Sequence, residues 1–568
     1  MAGLAIIQSS LAQVQPTSTY NPPPAASGTI ASTLTNPEMQ WSDLMGNMLY
    51  FYDIQRSGTL PNDFRVTWRN NSVPNDGQDV GLNLSGGFFD AGNFIKATFP
   101  LCWVVTQLSW GAMMFGSGYD TAGQTAYLDE TLRVALDWLI ESASIEDTMI
   151  VLIGTDDVYW GGDQNIPTNR PSYKITRQNP GTDVFGSCAT AFTTASMLYK
   201  GTTLPLSQTS NGTVASLQNE TYSQTLLTNA EKLFNLAQTS TPQQVYQKAV
   251  SGVSWAYPST DYADELVLSS TFLAMATGNQ TYADYAQQTF ASNQFPYPNG
   301  ALNWDQHTPA TPVALAQLAI VQPNLNVSFS QYQTSSEIWL DNIISGQMQQ
   351  TFTTPGGLFW FKGDSDDSSL NPSLNAAFLM SVYHGMASST SKGNGYLDWT
   401  QSQVNYTLGS NPMNAVYPVG MHPNSPQNPQ SSLASGGTNA NEIDTSPPME
   451  AHVLYGGLVG GPDQNDNYYD QRSDWQQTEV ALDCQSPLLS LSAFYISRNA
   501  SDPYYVNVTQ PRVILSYSEG GNGGLSGGAK AGIAIAVIVI VFAILAGIAY
   551  WQRERIQNYR RNKRFNKY

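Results

Sequence analysis

Gly460–Val480 reads GGPDQNDNYYDQRSDWQQTEV. Asp463, Asp466, Asp470, Asp474 and Glu479 are interleaved here with Tyr468, Tyr469 and Trp475. Carboxylates move protons, and flat aromatic faces stack on sugar rings. A lone acid is usually a solvated surface residue, so this run gains meaning only if other parts of the chain supply matching chemistry.

Four such clusters lie upstream. Arg56-Ser57-Gly58-Thr59-Leu60-Pro61 follows an apolar segment. Ser85-Gly86-Gly87-Phe88-Phe89-Asp90-Ala91-Gly92-Asn93 places a carboxylate among glycines, where backbone approaches a ligand closely. Thr354-Pro355-Gly356-Gly357-Leu358-Phe359-Trp360 precedes Asn375-Ala376-Ala377, and Tyr406-Thr407-Leu408-Gly409-Ser410-Asn411-Pro412 comes next. Two separated carboxylate sites with many aromatics are the requirement of glycoside hydrolysis, one acid for the leaving oxygen and a second carboxylate acting at the anomeric centre.

Between the clusters, apolar residues recur at three- and four-residue spacing. The spacing predicts helices near 40–55, 101–115, 124–142, 184–199, 222–237, 263–276, 310–321, 333–349, 371–385, 396–407, 447–458 and 479–497. About a dozen helices joined by long Gly/Pro/Asn-rich loops, without a fixed-period repeat, indicate an all-α fold of helical hairpins in one domain, 38–517. Residues 1–37 read as a signal remnant and a Pro/Ser/Thr-rich leader.

The C-terminus is of another kind. Residues 518–530 are a Gly-rich linker. Residues 531–551, AGIAIAVIVIVFAILAGIAYW, are uncharged and long enough for one transmembrane helix, and 552–568 is strongly basic. The positive-inside rule puts this tail in the cytoplasm and the large domain outside a plasma membrane, single-pass. A tail anchor with a cytosolic domain is the rival. Nine Asn-x-Ser/Thr sequons, at Asn70, Asn83, Asn211, Asn219, Asn279, Asn326, Asn405, Asn499 and Asn507, agree with the outside placement and a glycoprotein.

Charge narrows the ligand. Before Lys530 stand 16 basic residues against 42 acidic ones. That balance excludes nucleic acid as a partner and favours neutral or cationic ligands. Cys102, Cys188 and Cys484 allow at most one internal disulfide, and no Cys/His spacing suggests zinc.

The motifs, in this order over residues 41–490, resemble those of family 9 glycoside hydrolases, in particular fungal membrane-anchored members. The resemblance implies an (α/α)6 barrel and an inverting endo-β-1,4-glucanase acting on β-glucan polysaccharide. It implies Glu479 as general acid, with Asp474 in the same motif, and Asp90 as a carboxylate that holds the attacking water. The family's base position is occupied here by Asn93, whose neutral amide accepts no proton from water. Catalysis then falls to Asp90, or the scaffold binds glucan with impaired chemistry. Gln430 stands where a sugar-contacting His is expected, and His307, His384, His422 and His452 read as structural or surface residues. Trp160, Trp360, Tyr468 and Trp475 are the aromatic candidates for substrate. The resemblance requires no cofactor; some family members bind a structural calcium, for which Asp264, Glu265 and Asp305 offer hard oxygens here. A helix-surface acid pair explains Asp264 and Glu265 equally well.

Overall fold

The segment TFPLCWVVTQLSWGAMM has no polar face, and in the structure all 17 of its residues are buried. A helix that is apolar all round belongs inside. The computed structural model describes residues 14, 16, 19–22, 37–155, 159–293 and 300–515. Among these are twelve helices of twelve residues or more. They are α1 (Pro37–Gln55), α2 (Thr98–Met114), α3 (Thr125–Ser142), α4 (Thr182–Lys200), α5 (Glu220–Thr239) and α6 (Ala263–Thr277). They continue with α7 (Gln280–Ser292), α8 (Ala310–Val321), α9 (Phe329–Ile344), α10 (Leu370–Tyr383), α11 (Thr390–Thr407) and α12 (Leu482–Ser497).

Burial alternates along this series. The even-numbered helices are enclosed almost throughout, as in α10, where every residue is buried. Odd-numbered helices such as α5 and α7 bury one stripe and wet the other, whereas α1 is buried almost throughout. The even helices pack side by side, α2 on α4, α4 on α6, α6 on α8, α8 on α10, α10 on α12, and α12 back on α2. Each odd helix packs outside an even one, with α1 on α12. Six inner and six outer helices therefore form a closed double ring, the (α/α)6 barrel. Trp103 and Trp110 on α2 are fully buried, each contributing about 1.5–3 kcal/mol or more of apolar burial. Cys102 and Cys188 form a disulfide joining α2 to α4, which leaves Cys484 free and buried.

Strands are few. An antiparallel sheet of β1 (Lys96–Ala97), β2 (Thr148–Ile153) and β3 (Ser172–Thr176) anchors the chain just after the Asp90 turn. Two hairpins, β4 (Pro205–Ser207) with β5 (Ser210–Asn211) and β6 (Thr351–Thr353) with β7 (Phe359–Phe361), sit in loops. The all-α expectation is thus refined to a helical barrel with three small sheets among the described residues. The helix expected at 447–458 does not form. Ala451 and His452 donate to the carbonyls of Ser435 and Ala434 instead, and Gly456 leaves the helical region at φ +77°. The α7 helix was not anticipated, because only Ala283, Ala286 and Phe290 of its residues are buried.

Among the described residues no helix is long and apolar enough to cross a membrane. The expected transmembrane segment 531–551, the linker 518–530 and the basic tail 552–568 lie outside the described residues.

Candidate active site

The turn carrying Asp90 is tied from both ends of the chain. Phe89 N–H donates to the Gln55 carbonyl at the end of α1 (2.8 Å), and Gln55 Nε2 returns to the carbonyls of Phe89 and Ala91 (3.2 and 2.8 Å). On the other side, Leu482 N–H at the start of α12 donates to the Asp90 carbonyl (3.0 Å). Buried Lys96 holds the approach to the turn. Its Nζ donates to the carbonyls of Leu84, Ser85 and Gly86 and pairs with Asp76 at 3.0 Å. A buried ammonium is tolerated only when satisfied in this way.

Glu479 arrives from the opposite end of the sequence. Trp475–Thr478 makes one helical turn, and Glu479 then extends, pairing its backbone with Gln430. Gly92 joins the two segments. Its N–H donates to Glu479 Oε1 (3.2 Å), and its carbonyl accepts from Ser432 N–H (2.8 Å). A Cβ on Gly92 would lie 2.4 Å from the Gln430 carbonyl oxygen, so the close approach admits only glycine.

Asp90, Asn93, Asp483 and Glu479 line one cleft of about 880 Å³, with Trp255, Tyr257, Trp304 and Trp475 among its walls. Asp90 is 1% exposed. Tyr257 donates its hydroxyl to Asp90 Oδ2, while Oδ1 has no hydrogen-bond partner among the described residues. Burial holds the Asp90 carboxyl well above the carboxylate range, with Asp483 and Glu479 adding to the rise and the Tyr257 hydroxyl opposing it. Burial pushes Glu479 up to about 7, opposed by Gly92 N–H and assisted by Asp483. Burial also pushes Asp483 up to about 6. Asn93 Oδ1 accepts from Ile95 N–H at 3.2 Å. Because the amide oxygen is engaged, Asn93 has donors to offer the cleft and no base. A carboxyl near 7 beside a second carboxylate is what acid–base catalysis at a glycosidic oxygen requires.

A sequence model described as Glycosyl hydrolase family 9 matches residues 41–492. The chain belongs to glycosyl hydrolase family 9. This family 9 chain is 31% identical over 461 residues to Endoglucanase A of Bacillus pumilus, a match covering 79% of the chain but only 66% of that protein. It is 29% identical over 479 residues to Endoglucanase 14 of Arabidopsis thaliana, covering 80% of the chain and 93% of that protein. The endoglucanase of the termite Nasutitermes takasagoensis superposes with a TM-score of 0.70 at 32% identity, over 81% of this chain and 99% of that one.

Of the expected site residues, Glu479, Asp90, Asn93 and Trp475 meet in the family 9 cleft, and Trp475 is 43% exposed, as a stacking platform must be. Others do not line it. Trp360 is buried in the β6–β7 hairpin, stacked on Phe352 and donating to Asp366. Tyr468 lies in the core, edge-on to Tyr417. Trp160 is largely enclosed at 9% exposure, close to Gly437. Gln430 reaches the site through its backbone. Asp474 caps the Trp475–Thr478 turn, its carbonyl accepting from Gln477 and Thr478.

The calcium set is corrected as well. Asp305 lines the cleft and accepts from Thr260 N–H and Oγ1, whereas Asp264 is buried and accepts from His307 N–H (2.6 Å) and Thr308 Oγ1. Glu265 lies 3.4 Å from Nδ1 of His307, whose ring burial keeps neutral. Burial raises the carboxyls of Asp264 and Glu265, and the charge of Asp264 raises Glu265 further. Among the described residues no group of three His, Cys, Asp or Glu is arranged to hold a metal ion. The three acids do not fit the expected cage.

Tyr257, Trp255 and Trp304 were missed. Asp483 was visible four residues beyond Glu479 but had no assigned role. Tyr257 and Trp255 stand in loop sequence without periodicity, and only the fold carries them to Asp90.

Proposed function

We propose that the protein is an inverting endo-β-1,4-glucanase. On this reading residues 531–551 anchor it in the plasma membrane with the catalytic domain outside, in the manner of the fungal members it resembles. The observation that carries the catalytic part is the Gly92 link, which holds Glu479 and the Asp90 turn against one cleft. Glu479, protonated below about pH 7, delivers its proton to the leaving glycosidic oxygen. In the molecules where Asp90 is ionised while Glu479 is protonated, Asp90 takes a proton from water through its unpartnered Oδ1, and the Asn93 amide donates to the same water. A single displacement inverts the anomeric centre. Trp255 and Trp475, exposed on the cleft walls, stack on glucose rings.

The buried Cys102–Cys188 disulfide supports maturation in an oxidising compartment. The sequon asparagines also suit that placement, since none of the nine is buried and Asn219 and Asn279 cap α5 and α7 from the surface. Asn93 favours one second reading, a glucan-binding protein with impaired chemistry. The test is release of reducing ends from mixed-linkage glucan and cellohexaose, with product anomers followed by NMR. Wild type should hydrolyse with inversion, and Asp90→Asn and Glu479→Gln should each lose about 10²–10⁴-fold. Asn93→Asp should gain sharply if Asp90 is an inefficient base. A wild type that binds cellohexaose but releases nothing sinks the enzyme reading and leaves the binding one.

A further inference from the structure

The cleft is charged on one side of neutrality only. Among the described residues six acids line it, Asp90, Asp305, Asp364, Asp367, Glu479 and Asp483, and no lysine, arginine or histidine does. Acid–base hydrolysis of a neutral glucan needs two carboxyl groups.

Elsewhere in the protein some enclosed carboxylates, Asp183, Asp264, Glu265 and Asp466, also lack a cation among the described residues, but others are ion-paired. Asp76 is held by Lys96 and Arg170, Asp53 by Arg65 and Asp163 by Arg69. None of the six cleft carboxylates has an ion pair among the described residues. Asp305 and Asp364 are instead held by neutral donors, Thr260 and the Asn303 amide (2.8 Å) respectively. Asp367 is exposed. Burial and mutual repulsion raise the carboxyls of all three, as expected of acids that lack a counter-ion. Independently of this cluster, Asp90 Oδ1 is buried in the same cleft without a partner. These unpaired acids thus coincide with the space a polysaccharide would fill, and a cation placed there would favour their ionised forms.

A neutral glucose chain leaves those acids without a counter-ion, and a carboxylated chain brings further negative charge beside them. A β-1,4-linked chain with protonated amines at C2 has the same backbone linkage and brings its own cations. We propose that the cleft takes glucosamine-containing β-1,4-glycan in preference to neutral β-glucan, with Asp305, Asp364 and Asp367 facing the ammonium groups. This rests on reading the cleft as that of a β-1,4-glycan hydrolase. Cleavage of either polymer adds one water across the glycosidic bond, so the chemistry at Glu479 and Asp90 is unchanged.

Binding separates the proposal from catalysis. The full chain carrying Glu479→Gln is titrated calorimetrically with cellopentaose and with the β-1,4-linked glucosamine pentamer, near pH 6. The glucosamine pentamer should bind about tenfold tighter at low salt, with the preference shrinking toward unity in about 0.5 M salt. In Asp364→Asn/Asp367→Asn the ratio of the two affinities should fall about fivefold or more. Thermal unfolding checks that this variant is folded, and the single Asp367→Asn change, at an exposed position, gives the same reading on a smaller scale. Equal affinities, or a preference that survives the double substitution, overturn the proposal. If the preference stands while wild type cleaves neither polymer, the catalytic reading falls and this one holds. If neither pentamer binds, both fall.

Discussion

Gly92→Ala is the sharpest single perturbation of the site. The new Cβ would lie 2.4 Å from the Gln430 carbonyl oxygen and 3.3 Å from Glu479 Oε1. Reaching even a strained 3.0 Å contact requires a displacement of about 0.6 Å in a packed region that resists it. Gln430 cannot yield alone. Its N–H is bonded to the Thr478 carbonyl at 2.8 Å, and its backbone pairs with Glu479. The shift therefore reaches the acid. A misplacement of about 1 Å costs roughly 10²-fold, so the expected loss is on the order of tenfold in kcat. Overpacking adds about 1–3 kcal/mol of destabilisation. Because Glu479 acts on the leaving oxygen in the transition state, the loss should fall on kcat with KM little changed. Steady-state hydrolysis of cellohexaose and a thermal melt measure the two effects. A variant that melts lower but keeps wild-type kcat would show that the Gly92 contact does not position the acid.

Three further outcomes follow from the same geometry. The pH–rate profile should fall above about pH 7 as Glu479 loses its proton; its acid limb, set by Asp90, should lie above the ordinary carboxylate range and move higher still in Tyr257→Phe, which removes the donor that lowers Asp90. Stability should fall as pH rises from 5 to 8, because carboxyls raised in the folded state, such as Asp483 to about 6, Asp183 to about 7 and Glu450 to about 8, bind protons there that the unfolded chain has released; a melting temperature that climbs over this range would refute the sign. Replacing Cys102 and Cys188 together by alanine should cost about 2–4 kcal/mol in chemical denaturation, since the bond closes a loop of 86 residues.

The barrel was legible because its inner helices are apolar all round and its outer ones carry a stripe, as α2 and α5 illustrate. Legibility failed where that signal weakens. Helix α7 buries three residues, and 447–458 has helical spacing but bonds its backbone to Ala434 and Ser435 instead. At the site, Glu479 and Asp90 could be named because their motifs are contiguous. Trp360 and Tyr468 misled because an aromatic beside a motif reads the same whether it faces the cleft or the core. Asp264 and Glu265 look like a metal pair in sequence, yet the fold sets the backbone N–H of His307 against one and its ring against the other. Tyr257 was invisible because its partner lies 167 residues away.

The ring closes between its two ends, since α12 packs on both α1 and α2, and the Gly92–Glu479 bond spans 387 residues. A ribosome making this chain therefore releases nearly the whole barrel before the last inner helix exists. Until then the inner faces of α2 and α10 lack the neighbour that covers them, and the nascent protein presents a groove of apolar surface open to its surroundings. Active site and closed wall are completed by the same final helix. Quality control that senses exposed apolar surface would thus be reading, in this protein, whether the acid has met its turn.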